Sequence, residues 1–230
     1  MLKKRNREYS THTGFINNKP ISVVSTGVGV GNIDIVMNEI DALFNVDFVT
    51  RQAKENPTSL RFLRLGTAGT LQEDINVDTL VASQYAFSCD GLMQYYHYMN
   101  TLEEMQLLAQ LNQHFIEQRI DTTFYASSAD KSLLNVFSNI ASIGITSTCV
   151  GFYGPQHRMI RAPLKKEDGL THAAGFSFNQ QRVLNFEMET AAIYALGKLL
   201  GHQCCSISTI INNRATHTFT KNVARSIDTM

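Results

Sequence analysis

Glu187 and Glu189 stand one residue apart around Met188 in the stretch Asn185 to His202, NFEMETAAIYALGKLLGH, directly ahead of an apolar, helix-like segment. Ionised carboxylates are pure acceptors, and two side by side can grip a vicinal diol such as the 2′ and 3′ hydroxyls of ribose. The positive end of a helix dipole accounts for one of them equally well, but not for both. Arg64-Leu65-Gly66-Thr67-Ala68-Gly69 combines a guanidinium fork, a hydroxyl and glycines that free backbone N–H groups to face an anion. That set suits phosphate, or else it is a solvated arginine beside a glycine turn. In Gly151-Phe152-Tyr153-Gly154-Pro155-Gln156-His157-Arg158, Phe152 could stack on a flat ring while Gln156 and Arg158 bond its polar edge. The same residues also suit a rigid surface turn, with His157 a solvated neighbour. Gly27-Val28-Gly29-Val30-Gly31 sits between a strand pattern and a helical one. Asn32 occupies the place of the third glycine of a dinucleotide-binding fingerprint, so the run supports a tight turn or a close backbone approach to a ligand.

The elements that must position these groups alternate along the chain. Ile21 to Ser25, Phe62 to Leu65, Thr79 to Ala82, Thr123 to Ala126, Ile143 to Ser147 and Cys204 to Asn212 read as strands. Helical spacing of apolar residues runs over Ile33, Val36, Met37, Ile40 and Leu43. Thr101 and Glu104 form a capping box ahead of Met105, Leu108, Leu111 and Phe115. A last helix begins near Glu189, buries Ala192, Ile193, Leu196, Leu199 and Leu200, and ends at Gly201. The pattern predicts an α/β fold with helices covering a largely buried sheet, in one domain over residues 1–230.

Charge and composition narrow the partners. Twenty Lys plus Arg balance twenty Asp plus Glu in 230 residues, and 43% of the chain is hydrophobic. Such a chain fills a full-sized core and has no general attraction for nucleic acid or an anionic membrane, so a small-molecule partner is expected. Met1 to Thr13 is basic and polar, and no run of about 18 apolar residues occurs, so neither a secretory leader nor a membrane span is expected. Cys89, Cys149, Cys204 and Cys205 lack metal-ligand spacing and read as reduced core residues of a cytoplasmic protein.

Taken together and in this order, R-x-G-T, F-x-x-x-Q-x-R and E-M-E resemble the nucleoside phosphorylase family, most closely its uridine phosphorylase members. The likeness runs from NREYSTHTG through STGVGVGNIDIVMNEIDAL, RLGTAGTLQEDINVDTLVAS and GFYGPQHR to NFEMETAAIYALGKLLGH and IINNR. It implies a three-layer αβα sandwich with a mixed central sheet. It also implies reversible phosphorolysis of uridine, with phosphate as co-substrate and no metal or organic cofactor. By the same resemblance Arg64 and Thr67 are phosphate ligands, joined by Arg7 from a neighbouring subunit. Glu187, Met188 and Glu189 line the ribose, Phe152, Gln156 and Arg158 read the base, and Arg214 supports the base pocket. Arg64, Glu189 and Arg158 carry the catalysis. The expected assembly is a dimer as the smallest complete unit, within a hexamer.

The resemblance departs at both ends. Family members begin with a strand carrying a G-D-P-x-R segment, and the chain is expected to lack that strand and the end of the C-terminal helix. Two alternatives stay open: a purine nucleoside phosphorylase or hydrolase of the same fold, and a non-catalytic nucleoside-binding protein. Against the purine alternative, Ile211-Asn212-Asn213-Arg214 holds no carboxylate to protonate a departing purine.

Overall fold

The computed structural model describes residues 2–7, 9–165 and 168–230. The N-terminal segment, expected to contain one strand, forms an antiparallel sheet of three: β1 (Leu2–Asn6), β2 (Tyr9–Ile16) and β3 (Lys19–Ser25). Asn17 and Asn18 take left-handed φ values of 50° and 61° between β2 and β3, the geometry of a tight hairpin turn. The glycine run then turns the chain into α1 (Val30–Asn45). Its N-cap Gly29 has φ 90°, which a side chain would strain, so backbone conformation alone requires glycine there. Ile33, Val36 and Met37 bury the inner face of α1. A short hairpin of β4 (Val46–Asp47) and β5 (Gln52–Ala53) follows.

The remaining strands are β6 (Arg61–Thr70), β7 (Leu80–Ser88), β8 (Tyr125–Ser128), β9 (Ser142–Thr148), β10 (Ser177–Phe178), β11 (Gln181–Glu187), β12 (Gln203–Asn213) and β13 (Thr218–Phe219). They form one mixed sheet in the order β13-β12-β6-β11-β9-β7-β8, with β10 on β11. Parallel pairs join β6 to β12, β7 to β9 and β9 to β11, whereas β8 runs antiparallel to β7. The sheet also curls back on itself, because β12 pairs with β7 through Ile207 opposite Ala82. The expected α/β class and mixed central sheet are present. The curl is a long-range pairing that no local pattern announces.

Among the described residues five further α-helices follow: α2 (Leu102–Glu117), α3 (Lys131–Val136), α4 (Gly169–Ala174), α5 (Thr190–Leu199) and α6 (Val223–Asp228). Alternation along β7 shows that both sheet faces are covered. Ala86 packs with Met37 of α1 and Leu196 of α5, while Tyr85 and Phe87 pack with Leu107, Leu111 and Phe115 of α2. Among the described residues no helix is long and apolar enough to cross a membrane.

Several local expectations need correction. The capping box of α2 is present, with Glu104 N donating to Thr101 Oγ1 at 3.2 Å and Thr101 N to Glu104 Oε2 at 2.7 Å. The buried face, however, is Glu104, Leu107, Leu111 and Phe115, and Met105 is exposed. Glu104 turns inward because Ser128 N and the Lys198 ammonium also bond its carboxylate. Strand β8 lies two residues beyond the stretch expected. Helix α5 is buried all round from Thr190 to Gly197, with Leu199 at its exposed end. Its small residues permit that packing: a Cβ on Gly197 would lie 2.1 Å from Cys204 Sγ. Cys149, Cys204 and Cys205 are buried free thiols as expected, but Cys89 is exposed.

Candidate active site

The parallel strands β9 and β11 end side by side, with Thr148 in register with Glu187. Ligands of α/β sheets bind beyond such carboxyl ends. Glu187 closes β11, Glu189 is the N-cap residue of α5, and Arg64 reaches them from β6. Arg64 can lie along its own strand because Gly66 has no side chain. A Cβ at Gly66 would sit 2.5 Å from Arg64 Nη1. This gives the R-x-G pair a steric meaning in addition to its use for anions.

The guanidinium is held on both sides. Nη2 lies 2.7 Å from Glu189 Oε2 and 3.0 Å from Glu187 Oε2, and Nη1 donates to Ser208 Oγ at 2.9 Å. Burial works against the Arg64 charge, but Glu187 and Glu189 outweigh it and raise its proton affinity. Glu189 also accepts from Gly29 N at 2.7 Å, which gives the glycine run a second purpose. Two carboxylates share one guanidinium. Burial first, and the Glu187 charge second, therefore raise the Glu189 pKa against the opposing pull of Arg64. Met188 packs beside them, its Cε 3.9 Å from where a Gly29 Cβ would lie.

A second cluster forms just beyond β9. Gln156 is buried, and Arg158 Nε donates to its Oε1 at 3.2 Å, which leaves the Gln156 Nε2 donors directed elsewhere. The Arg158 guanidinium sits 4.4 Å from the centre of the half-exposed Phe152 ring. Arg214, at the end of β12, donates through Nη1 to Gln156 O at 2.6 Å and lies over the Phe186 ring. Burial, then the Arg214 charge, lowers the Arg158 pKa. Phe186 and Glu187 are adjacent in β11, so this one strand end supports both clusters. Cys149 N donates to Glu187 O at 2.7 Å and leads the chain into the Phe152 loop.

Two expected ligands lie outside these contacts. Thr67 is half-buried on β6 in register with Thr209, and among the described residues no hydrogen bond joins it to Arg64, Glu187 or Glu189. Arg7 is exposed in the turn between β1 and β2, with φ 51°, and no described contact within the chain brings it to Arg64. Conversely, Ser208 and Thr148 escaped the sequence reading. Ser206 and Ser208, two apart in β12 with the apolar Ile207 between them, share a strand face toward Arg64, and that spacing is the signal that could have found them.

The model of the phosphorylase superfamily matches residues 2–229. The chain belongs to the phosphorylase superfamily. Within that superfamily it is 29% identical over 222 residues to a uridine phosphorylase of Thermococcus kodakarensis, covering 94% of this chain and 66% of that protein. It is also 26% identical over 199 residues to a DeoD-type purine nucleoside phosphorylase of Buchnera aphidicola, covering 86% of this chain and again 66% of the relative. The chain thus spans about two thirds of the length of these curated relatives. Its fold matches the crystal structure of a Trypanosoma brucei nucleoside phosphorylase described as showing uridine phosphorylase activity. That match has TM-score 0.80 and 23% identity, over 99% of this chain and 84% of the other.

Proposed function

We propose that this superfamily member is a uridine phosphorylase, which converts uridine and phosphate reversibly to uracil and ribose 1-phosphate in cytoplasmic pyrimidine salvage. The observation that supports the reading is that both clusters are tied to the end of β11, Arg64–Glu189 through Glu187 and Gln156–Arg158 through Arg214 over Phe186. An anion ligand, a hydroxyl acceptor and an amide–guanidinium pair are what phosphate, ribose and a uracil edge require. In this reading Arg64 and Thr67 hold phosphate, aided by Arg7 from a neighbouring subunit. Glu189 accepts a ribose hydroxyl with Met188 against the sugar. Phe152, Gln156 and Arg158 hold uracil, with Arg214 fixing Gln156 from behind.

Cleavage of the glycosidic bond makes the sugar cationic and the leaving base anionic. Phosphate near the anomeric carbon stabilises the first charge, and Arg158 with Gln156 the second. Binding both reactants in attack geometry removes much of the entropic barrier. The chemistry so read uses no metal or organic cofactor, since phosphate is itself the nucleophile. The proposed assembly is a dimer as the minimal unit, within a hexamer.

A purine-specific enzyme is the second reading, favoured by the purine nucleoside phosphorylase likeness. An acid is needed there near the end of β12, where Asn212 and Asn213 stand. Asn213 is occupied structurally: Oδ1 accepts from Ala215 N and Thr216 N, and Nδ2 donates to Gln72 O and Ile75 O. Incubation with uridine, inosine and 5′-methylthioadenosine, each with and without phosphate, separates the readings. Cleavage of uridine in phosphate is expected, and inosine cleavage without uridine cleavage would contradict it.

A further inference from the structure

We propose that Glu187 is a positioning residue that organises the site and takes no hydroxyl of the substrate; the assignment rests on the uridine phosphorylase reading for its kinetic part. The two glutamates of E-M-E have opposite surroundings. Glu187 Oε1 accepts from Thr148 Oγ1 at 2.6 Å and Thr190 N at 3.1 Å. Its Oε2 accepts from Glu189 N and Thr190 N, each at 2.9 Å, and lies 3.0 Å from Arg64 Nη2. A carboxylate offers about four acceptor positions. Those of Glu187 are taken by β9, β6 and the first turn of α5, and its side chain is only 2% exposed. No position remains for a sugar hydroxyl.

Glu189 is the reverse. As N-cap residue it makes no side-chain cap bond. Among the described residues each of its oxygens meets one donor: Oε1 meets Gly29 N and Oε2 meets Arg64 Nη2. One acceptor position per oxygen is left over. The capping of α5, normally done by the N-cap side chain, has passed to Glu187 two residues earlier, which leaves the Glu189 carboxylate free of that task. Glu187 also fixes Thr148, where β9 leads into the Phe152 loop, and Arg64. A single buried carboxylate thereby sets the relative places of the anion, sugar and base ligands.

Glu187→Gln tests this, because an amide brings two new donors against a ring of donors. The expected result is a loss of about 10- to 100-fold in kcat from misplacement, equal for uridine and 2′-deoxyuridine, so that their ratio stays at the wild-type value. Glu189→Gln, by contrast, should change that ratio. Hydrogen exchange at the Glu189 and Thr190 amides should speed up about tenfold or more in Glu187→Gln but not in Glu189→Gln. Should Glu187→Gln fail to fold, Thr148→Val removes one donor and should give a smaller loss, again equal on both nucleosides. A loss confined to uridine, with amide exchange unchanged, would make Glu187 a sugar ligand and overturn the proposal. If the wild-type protein does not cleave uridine, the functional reading has failed. The exchange comparison then decides alone: faster exchange in Glu187→Gln supports the positioning role, and unchanged exchange refutes it.

Discussion

Arg64 Nη2 lies 2.7 Å from Glu189 Oε2, so the group read as phosphate ligand and the group read as ribose ligand are each other's partner. The two ends of the site are therefore one electrostatic unit. Glu187 adds a second negative charge to the same guanidinium, and burial first, with this surplus second, keeps Glu189 more basic than an ordinary carboxylate.

Glu189 must be ionised to accept a hydroxyl strongly. The acid limb of kcat/KM for uridine is accordingly expected above the ordinary carboxylate range, with activity falling as pH drops through the raised value. Glu189→Gln should remove that limb and reduce turnover of uridine about tenfold more than that of 2′-deoxyuridine, which offers one hydroxyl fewer. Equal losses on both substrates would assign Glu189 to the 3′ hydroxyl or to structure.

Arg158 bonds Gln156 through Nε and stacks on Phe152, and in the proposed function its guanidinium bonds the base. Arg158→Ala should cost about 2 to 4 kcal/mol of transition-state stabilisation, read from kcat/KM for uridine. A change of less than about threefold would remove it from the base site.

His202 offers a stability prediction away from the site. Its ring is buried at the start of β12, where Nδ1 accepts from Leu60 N at 3.2 Å and Nε2 lies 3.2 Å from Asp41. Burial lowers its pKa, and the opposing pull of Asp41 does not restore it. A histidine whose folded pKa lies below its unfolded value of 6.5 contributes stability that is present above that value. The contribution is lost as pH falls from there toward the lowered folded value. Melting temperature should fall over that window in the wild type and less steeply in His202→Asn, whose amide oxygen can still accept from Leu60. Parallel curves would show that His202 does not set the slope.

The fold class and the site skeleton were legible for specific reasons. Glycines at Gly29 and Gly66 mark a positive φ and a space for a guanidinium, and the E-M-E spacing marks a strand end running into a helix. What stayed hidden depends on distant partners. The α2 face is rotated toward Glu104 by Ser128 and Lys198, which no helical periodicity encodes. Strands β1 and β2 are polar and mostly unburied, so they carry no alternating apolar signal. The two carboxylates of E-M-E look alike in sequence, and only the donors gathered from β9, β6 and α5 separate them.

Arg7 is exposed on a hairpin turn, and no described contact within the chain brings it to Arg64, so its proposed role needs a second subunit. Mixing Arg7→Ala with Arg64→Gln under exchange conditions should restore part of the wild-type rate, because some sites regain both arginines. The glutamine amide can still donate to Glu189, which limits the unfolding expected when buried carboxylates lose their cation. Mixed dimers without activity would return Arg7 to a solvated turn.

The most direct test follows the nucleophile. Protein freed of phosphate is incubated with uridine, then with uridine and phosphate, and the sugar product is identified by phosphorus NMR alongside uracil release. The account predicts uracil only when phosphate is present, in equal amount with ribose 1-phosphate, and loss of both products in Arg64→Gln. Uracil released with free ribose at the same rate in the absence of phosphate would contradict it.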